Sequence, residues 1–178
     1  MTHLPKSFHK RCEVISTELR GDLGLRIFDQ LPSTQLAKKY KVKICRPDEM
    51  DMPQPAIDYF LQSDDWCGVL FPFHPPIIVH NPIQSPARYE STIMHELAHL
   101  ILEHPPEGIY FAPDGTFSRD FNSIIEAEAA YLGSCLQIPR RGLLWAVQKG
   151  MSNKEVACHF GASLEMVQWR QNAVNYQR

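Results

Sequence analysis

The 178-residue sequence has no CxxC pair, no internal repeat and no low-complexity tether. No apolar run approaches the roughly 18 residues of a membrane-spanning helix. Its five cysteines, at 12, 45, 67, 135 and 158, are odd in number and scattered. They exclude a disulfide framework and a zinc ribbon, and a reducing cytoplasm is the expected compartment. The first thirty residues carry Lys6, Lys10, Arg11, Arg20 and Arg26 without an apolar centre, so no secretory signal is expected there. A net charge of −2 excludes a histone-like basic protein.

What is present is a globular composition, with 44% hydrophobic and 21% charged residues. The length suits one domain with a real core. We expect a single unit, 1–178, with a basic N-terminal segment at 1–32, a catalytic core at 33–139 and a helical C-terminal part at 140–178. The charge is uneven. Ten Lys/Arg face four Asp/Glu from Met1 to Arg46, and eight face sixteen from Pro47 onward. A surplus of six positive charges is either an anion-binding arm or the solvated face of a short helix.

Local signals divide the rest. Ser33 can cap a helix over 34–41, followed by a short strand at 42–45. A helical turn or two fits 56–62. The runs 67–71 and 77–80 read as a hairpin with a wide proline-rich loop. Ser85-Pro86 opens the strongest helix, which Pro105 and Pro106 must end near Glu103. Pro113-Asp114-Gly115 is a turn between strand-like runs at 109–112 and 116–118. Further helices fit 123–137, 139–150 and, around Gly161-Ala162-Ser163, 152–175.

The first long helix contains His95-Glu96-Leu97-Ala98-His99. Residues four apart share a helix face, so both imidazoles can bind one metal ion. Glu96 lies about 100° round the helix. It is placed to take a proton from a water on that ion, not to be a third ligand. This chain's own composition makes a chance HExxH worth only about 0.02 occurrences. On the helical wheel Arg88, Thr92, His95, His99 and Leu102 share one side, opposite Ile93, Leu97, Leu100 and Ile101.

Zinc needs another protein ligand. Pro105 stands where HExxHxxGxxH would have its third His, so the ligand must come from elsewhere. The helix at 123–137 offers Glu126 and Glu128, about 200° apart, so only one can face the metal. Glu126 shares its face with Ala129, Ala130 and Gly133, which would let two helices approach, and is favoured. Against it, Ser123-Ile-Ile-Glu126 is also a capping box. Glu128 and then Asp120 are the alternatives.

With these residues in place, the chain resembles the ImmA/IrrE family of small zinc metallopeptidases. The resemblance covers roughly 34–171. It rests on His-Glu-Leu-Ala-His-Leu-Ile-Leu at 95–102, on Glu-Ala-Glu-Ala-Ala-Tyr-Leu-Gly-Ser-Cys-Leu-Gln-Ile-Pro at 126–139, and on Lys-Glu-Val-Ala-Cys-His-Phe-Gly-Ala-Ser-Leu-Glu-Met-Val at 154–167. Ala130 stands where the family often has Asn or Asp, and Leu132-Gly133 replace Phe-Ala. The resemblance implies an α+β, zincin-like fold: a short mixed sheet, the HExxH helix packed against a second ligand-bearing helix, and a helical C-terminal tail. It also implies a protein substrate, often a helix-turn-helix repressor of a phage, mobile-element, defence or DNA-damage operon.

The resulting expectation is a zinc endopeptidase with His95, His99 and Glu126 as ligands and Glu96 as general base. Tyr110, His104 and Tyr131 are candidate oxyanion donors. Ile77–His80 is the expected sheet edge for an extended substrate. The basic segment could bind single-stranded DNA as an activating signal. The rival is a DNA-binding module with a helix-turn-helix at 154–171 and a structural or inactive zinc site; its recognition helix has Arg170 as its one base and is poor in charge for a groove reader. His74 and His80 could line the cleft. Cys67 and Cys135 read as small buried hydrophobes, either of whose thiolates could close the open zinc position.

Overall fold

Proline, glycine and hydrophobic period divide the chain as their physics requires. A computed structural model describes residues 4–105, 109–111, 117–119 and 121–174, with 109–111 and 117–119 as backbone. The elements run α1 (Lys6–Asp22), α2 (Ser33–Lys39), β1 (Lys43–Cys45), a 3-10 turn (Pro47–Glu49), α3 (Gln54–Gln62), β2 (Gly68–Phe71), β3 (Ile77–His80) and α4 (Pro86–Ile101). After these come β4 (Ile109–Phe111), β5 (Phe117–Arg119), α5 (Ser123–Gln137), α6 (Arg140–Gln148), α7 (Asn153–Phe160) and α8 (Leu164–Ala173). The fold is α+β, with a three-stranded mixed sheet, a separate two-stranded hairpin and a helical C-terminal part. The expected turn at 113–115 lies outside the described residues. Among the described residues no helix is long and apolar enough to cross a membrane.

The sheet order is β1-β3-β2. β3 pairs in parallel with β1 (Lys43 opposite Ile77, Cys45 opposite Val79) and antiparallel with β2 (Gly68 opposite His80, Phe71 opposite Ile77). Ile77–His80 is thus the central strand, and the expectation of an edge there is corrected. Its Ile-Ile-Val run is the most apolar of the three strands, and central strands are covered on both flanks. The free edge beside the helices belongs to β2.

α2 begins at Ser33 itself, with Pro32 in the capping position. The Ser33 N–H donates to Glu90 of α4 at 3.0 Å, so a carboxylate from another element does the work expected of the Ser33 hydroxyl. α4 and α5 pack face to face over Ile93, Met94, Leu97, Ala129 and Leu132, all fully buried. At Gly133 a Cβ would lie 3.1 Å from the Met94 carbonyl oxygen and 3.2 Å from the His95 Cα. A side chain there would be tighter than ordinary contact against backbone.

α1 lies against α5 and shares its core through Cys12 and Leu19. Three buried side chains satisfy the last carbonyls of α5, which no helical N–H can reach. Ser16 donates to the Cys135 carbonyl at 2.6 Å, Arg20 to the Leu136 carbonyl at 2.7 Å, and Arg170 of α8 to the Ile138 carbonyl at 2.8 Å. The basic segment is therefore partly consumed by the fold. Arg20 is buried, and Arg26, Lys39 and Arg46 pair with Asp29, Asp22 and Asp48 at 2.9–3.0 Å.

Candidate metal centre

α4 starts as its sequence dictates. Ser85 accepts the Arg88 N–H, and Pro86 occupies the first helical turn. The helix then carries His95 and His99 on one face, one turn apart. Glu96 and His99 are 5% and 8% exposed. α5 is capped by Asn122, whose side-chain oxygen accepts from the Ile124 and Ile125 N–H groups at 3.0 and 3.3 Å. The cap sits one residue before Ser123, which therefore does not cap the helix, and Glu126 faces α4.

His95, His99 and Glu126 converge, with one ligand atom from each within 4.8 Å of the others. The two Nε2 atoms are 3.1 Å apart, and the Glu126 oxygens lie 3.3 Å from His95 Nε2 and 3.4 Å from His99 Nε2. Ligands held about 2.1 Å from a zinc ion at tetrahedral angles are about 3.4 Å apart. The spacing and the N₂O donor set fit such an ion. Burial raises the Glu126 carboxyl, but hydrogen bonds and charge from His95 and His99 outweigh it and hold the group far below the usual carboxylate range.

Glu128 is directed elsewhere. Its Oε2 lies 3.2 Å from His104 Nε2, and His104 Nδ1 lies 3.1 Å from His99 Nδ1. His104 reaches this place through the end of α4. Glu103 takes a left-handed conformation (φ +55°), and the His104 N–H donates to the His99 carbonyl at 3.0 Å, a Schellman turn. Burial, partly offset by Glu128, keeps the His104 imidazole below its ordinary pKa. Asp120 lies outside the described residues.

A cleft of about 740 Å³ opens over His95, Glu96 and Glu126. One wall is β2 and the exposed face of α4; the other is α8 with Glu165, Met166 and Trp169. Gly68 of β2 abuts α4 so closely that a Cβ would lie 2.6 Å from Thr92 Cγ2 and 3.2 Å from Glu96 Cγ. Arg88 also lines the cleft and donates to Cys67 Sγ at 2.9 Å.

Several expected residues fall elsewhere. Neither His74 nor His80 lines the cleft; the His80 ring packs edge-on to Tyr89 at 4.9 Å. Tyr131 is buried, stacked on His9 at 4.1 Å and edge-on to Trp169 at 5.9 Å. His104 is spent on His99 and Glu128, and Tyr110 sits on β4, described as backbone. Cys135 is buried and Cys67 half-buried. α7 and α8 do form a helix-turn-helix-like pair around Gly161 (φ +62°). However, Arg170 is wholly buried and Met166 and Trp169 turn toward the cleft, so α8 presents no basic face. The α8 wall had no signal in the sequence beyond helical period; Arg88 had one, its place on the His95 side of the wheel.

Comparison with curated proteins gives no match. The profile of a peptidase family, Peptidase M78, described as the IrrE N-terminal-like domain, matches residues 30–172. That span holds the whole sheet, both helices of the ligand cluster and most of the α8 wall. The chain therefore belongs to the IrrE N-terminal-like peptidase family, with the metallopeptidase-like fold expected of it.

Proposed function

We propose that the protein is a zinc-dependent endopeptidase. The observation that carries this is the convergence of His95, His99 and Glu126 at tetrahedral spacing, next to Glu96, in an open cleft. His95, His99 and Glu126 would hold the ion. Zinc, when bound, supplies a Lewis acid and makes a neighbouring water acidic. Glu96 is the general base: its carboxylate takes the proton of the attacking water and passes it to the departing amine nitrogen. The near-complete burial of Glu96 shields that proton from bulk solvent.

The substrate is a protein segment held extended along β2. The Asn81 N–H donates to the Cys67 carbonyl at 2.9 Å. In an antiparallel pair bonded and non-bonded positions alternate, so Gly68 and Leu70 turn their N–H and C=O groups to the free edge. A peptide added there would be bound by main-chain hydrogen bonds between β2 and the α8 wall. Family membership supports a helix-turn-helix repressor as the partner. The charge surplus before Pro47 supports single-stranded DNA as an effector; among the described residues Lys38, Lys41 and Lys43 form no ion pair and are its candidate contacts.

The purified chain should carry about one zinc ion. Glu96→Gln should keep the metal and lose cleavage of the partner, whereas His95→Ala, His99→Ala and Glu126→Gln should lose the metal. Metal-free protein from a chelator-free preparation ends the reading. Binding to single-stranded DNA should weaken steeply with salt and vanish when Lys38, Lys41 and Lys43 become Glu. Cleavage indifferent to added DNA removes the effector and leaves the peptidase.

A further inference from the structure

We infer that α8 and α5 form a specificity pocket in the cleft, which receives a bulky apolar side chain (leucine, methionine or phenylalanine) of a substrate segment whose neighbouring residues are basic rather than acidic. The inference rests on the endopeptidase reading above and names the substrate chemistry of that same cleft.

The wall comes from one face of α8. Met166 and Trp169 are three residues apart, so they are neighbours on the helix surface, and both line the cleft. Trp169 is 42% exposed, although Val167 and Arg170 beside it are wholly buried. An uncovered indole in a concavity is apolar surface still available for burial. Its ring is supported from behind. It sits edge-on to Tyr131 at 5.9 Å, and Tyr131 is itself buried, stacked on His9 at 4.1 Å and capped by the Arg170 guanidinium at 5.6 Å. A ligand that packs on a ring already held has little left to order. Met166 adds a pliable thioether that suits apolar side chains of different shape.

The floor comes from α5 and α4. Ala130 lines the cleft, is exposed, and follows Glu126 by one turn on the same helix face. Its methyl leaves open the space that a longer side chain would fill. The nearby hydroxyls are spent inside the protein, Ser134 donating to the Tyr131 carbonyl at 2.6 Å and Ser91 to Gln137 Oε1 at 2.9 Å. Neither needs a polar ligand. One helical turn is about 5.4 Å, the reach of one to two residues of an extended chain at about 3.3 Å each. The side chain taken up therefore belongs to a residue flanking the bond that is cut.

Charge selects the neighbours. Apart from Glu96 and the ligand set, the charged residues described along the cleft are Asp65, Arg88 and Glu165. Asp65, just before β2, and Glu165, on α8, are both exposed carboxylates, while the Arg88 guanidinium donates to Cys67 Sγ at 2.9 Å. Two open carboxylates against one engaged cation favour a basic segment and repel an acidic one.

The test uses the full-length chain and blocked amino acids as probes. In the metal-free protein, N-acetyl-leucinamide and N-acetyl-phenylalaninamide should bind about tenfold or more tighter than N-acetyl-glycinamide. The response should centre on the Trp169 indole in nitrogen–proton spectra, assigned against Trp169→Phe. Ala130→Leu, which fills the pocket, should bring both amides down to the glycine level with zinc uptake retained. N-acetyl-Leu-Lys-amide should bind tighter than N-acetyl-Leu-Glu-amide, and Glu165→Lys should erase that order. In the zinc-loaded protein, phenylalanine hydroxamate should exceed glycine hydroxamate by about the same tenfold. Equal binding of the three amides, a response that bypasses the Trp169 indole, or undiminished binding in Ala130→Leu each overturn the pocket. Equal binding of the Lys and Glu dipeptides overturns its preference for basic neighbours. A chain that takes up no zinc refutes the metal centre, while the amide titrations still decide the pocket.

Discussion

Gly133→Ala turns the packing of α4 on α5 into a measurable sign. A glycine inside a helix costs about 0.5–1 kcal/mol relative to alanine, so on helix propensity alone the substitution stabilises. Here the new Cβ would meet the Met94 carbonyl oxygen at 3.1 Å and the His95 N and Cα at 3.2 Å. Ordinary contact begins some tenths of an ångström further out, and all three neighbours are backbone, so no side chain can swing aside. Overpacking of this kind costs about 1–3 kcal/mol. The balance is a net loss of about 1 kcal/mol, or a fall of about 2–4 °C in the unfolding midpoint for a domain of this size. Gly133→Val, with two more methyls, should fall further. The helices can relieve the overlap only by separating, and Glu126 sits two turns, about 10 Å, along the same face of α5. Zinc affinity should therefore drop with stability. Calorimetry of the metal-free chain and zinc competition measure the two effects. A midpoint that rises in Gly133→Ala, as it would for a glycine on an open helix face, refutes the close approach.

Gly68→Ala should retain zinc yet slow cleavage about 10- to 100-fold, because its Cβ would displace Thr92 and the Glu96 side chain; turnover at the parent rate would show that β2 does not press on the base. Glu13→Ala leaves Arg170, which has no exposed surface, without its carboxylate. The loss should be about 3 kcal/mol, seen as a midpoint lower by about 6–12 °C, and a shift under about 1 °C would exclude a structural pair. With a thiol reagent at pH 8, Cys158 should react at once and Cys12, Cys45 and Cys135 only after unfolding. Burial pushes the Cys12 thiol up to about 12, which leaves about one thiolate in ten thousand at that pH; rapid labelling of Cys12 in the native chain would contradict its packing.

The fold was legible where period and punctuation agree. The Ser-Pro start and the proline stop bracket α4, and the Ile-Ile-Val and Gly-Val-Leu-Phe runs announce their hairpin. The neighbour of β3 was harder to see, because β1 is three residues long and begins with a lysine. Its pairing is a tertiary fact, and it moved the free edge from β3 to β2. α1 was no more than a short basic helix in the sequence. Its 17 residues bury Cys12, Ser16, Leu19 and Arg20, and a packing face that includes a serine and an arginine carries little apolar period.

The histidine pair was readable because one helical turn decides its geometry. The small residues beside Glu126 favoured it over Glu128, but the capping-box alternative stayed open, since it depends on which of two adjacent capping residues, Asn122 or Ser123, begins α5. Both are good caps, and a shift of one residue decides whether Glu126 is tied back or released. His104 gave no sign either, because its approach to His99 needs a left-handed residue at Glu103, where sequence rules look for glycine.

The two ends of α5 are set in different ways, and the metal centre depends on both. Asn122 fixes the beginning locally. The other end is held by Arg20 and Arg170, whose guanidinium groups, with the Ser16 hydroxyl, take its last carbonyls. Burying two cations is costly unless each is hydrogen-bonded and paired, and Glu13 of α1 supplies the carboxylate that meets Arg170. Three of these four capping and pairing groups, Glu13, Ser16 and Arg20, lie on α1, before the family match begins at residue 30. The segment that reads from sequence as a basic appendage is therefore what anchors the helix bearing Glu126 and Glu128. Its charge is in part the means by which α5 is held in register against the two histidines of α4.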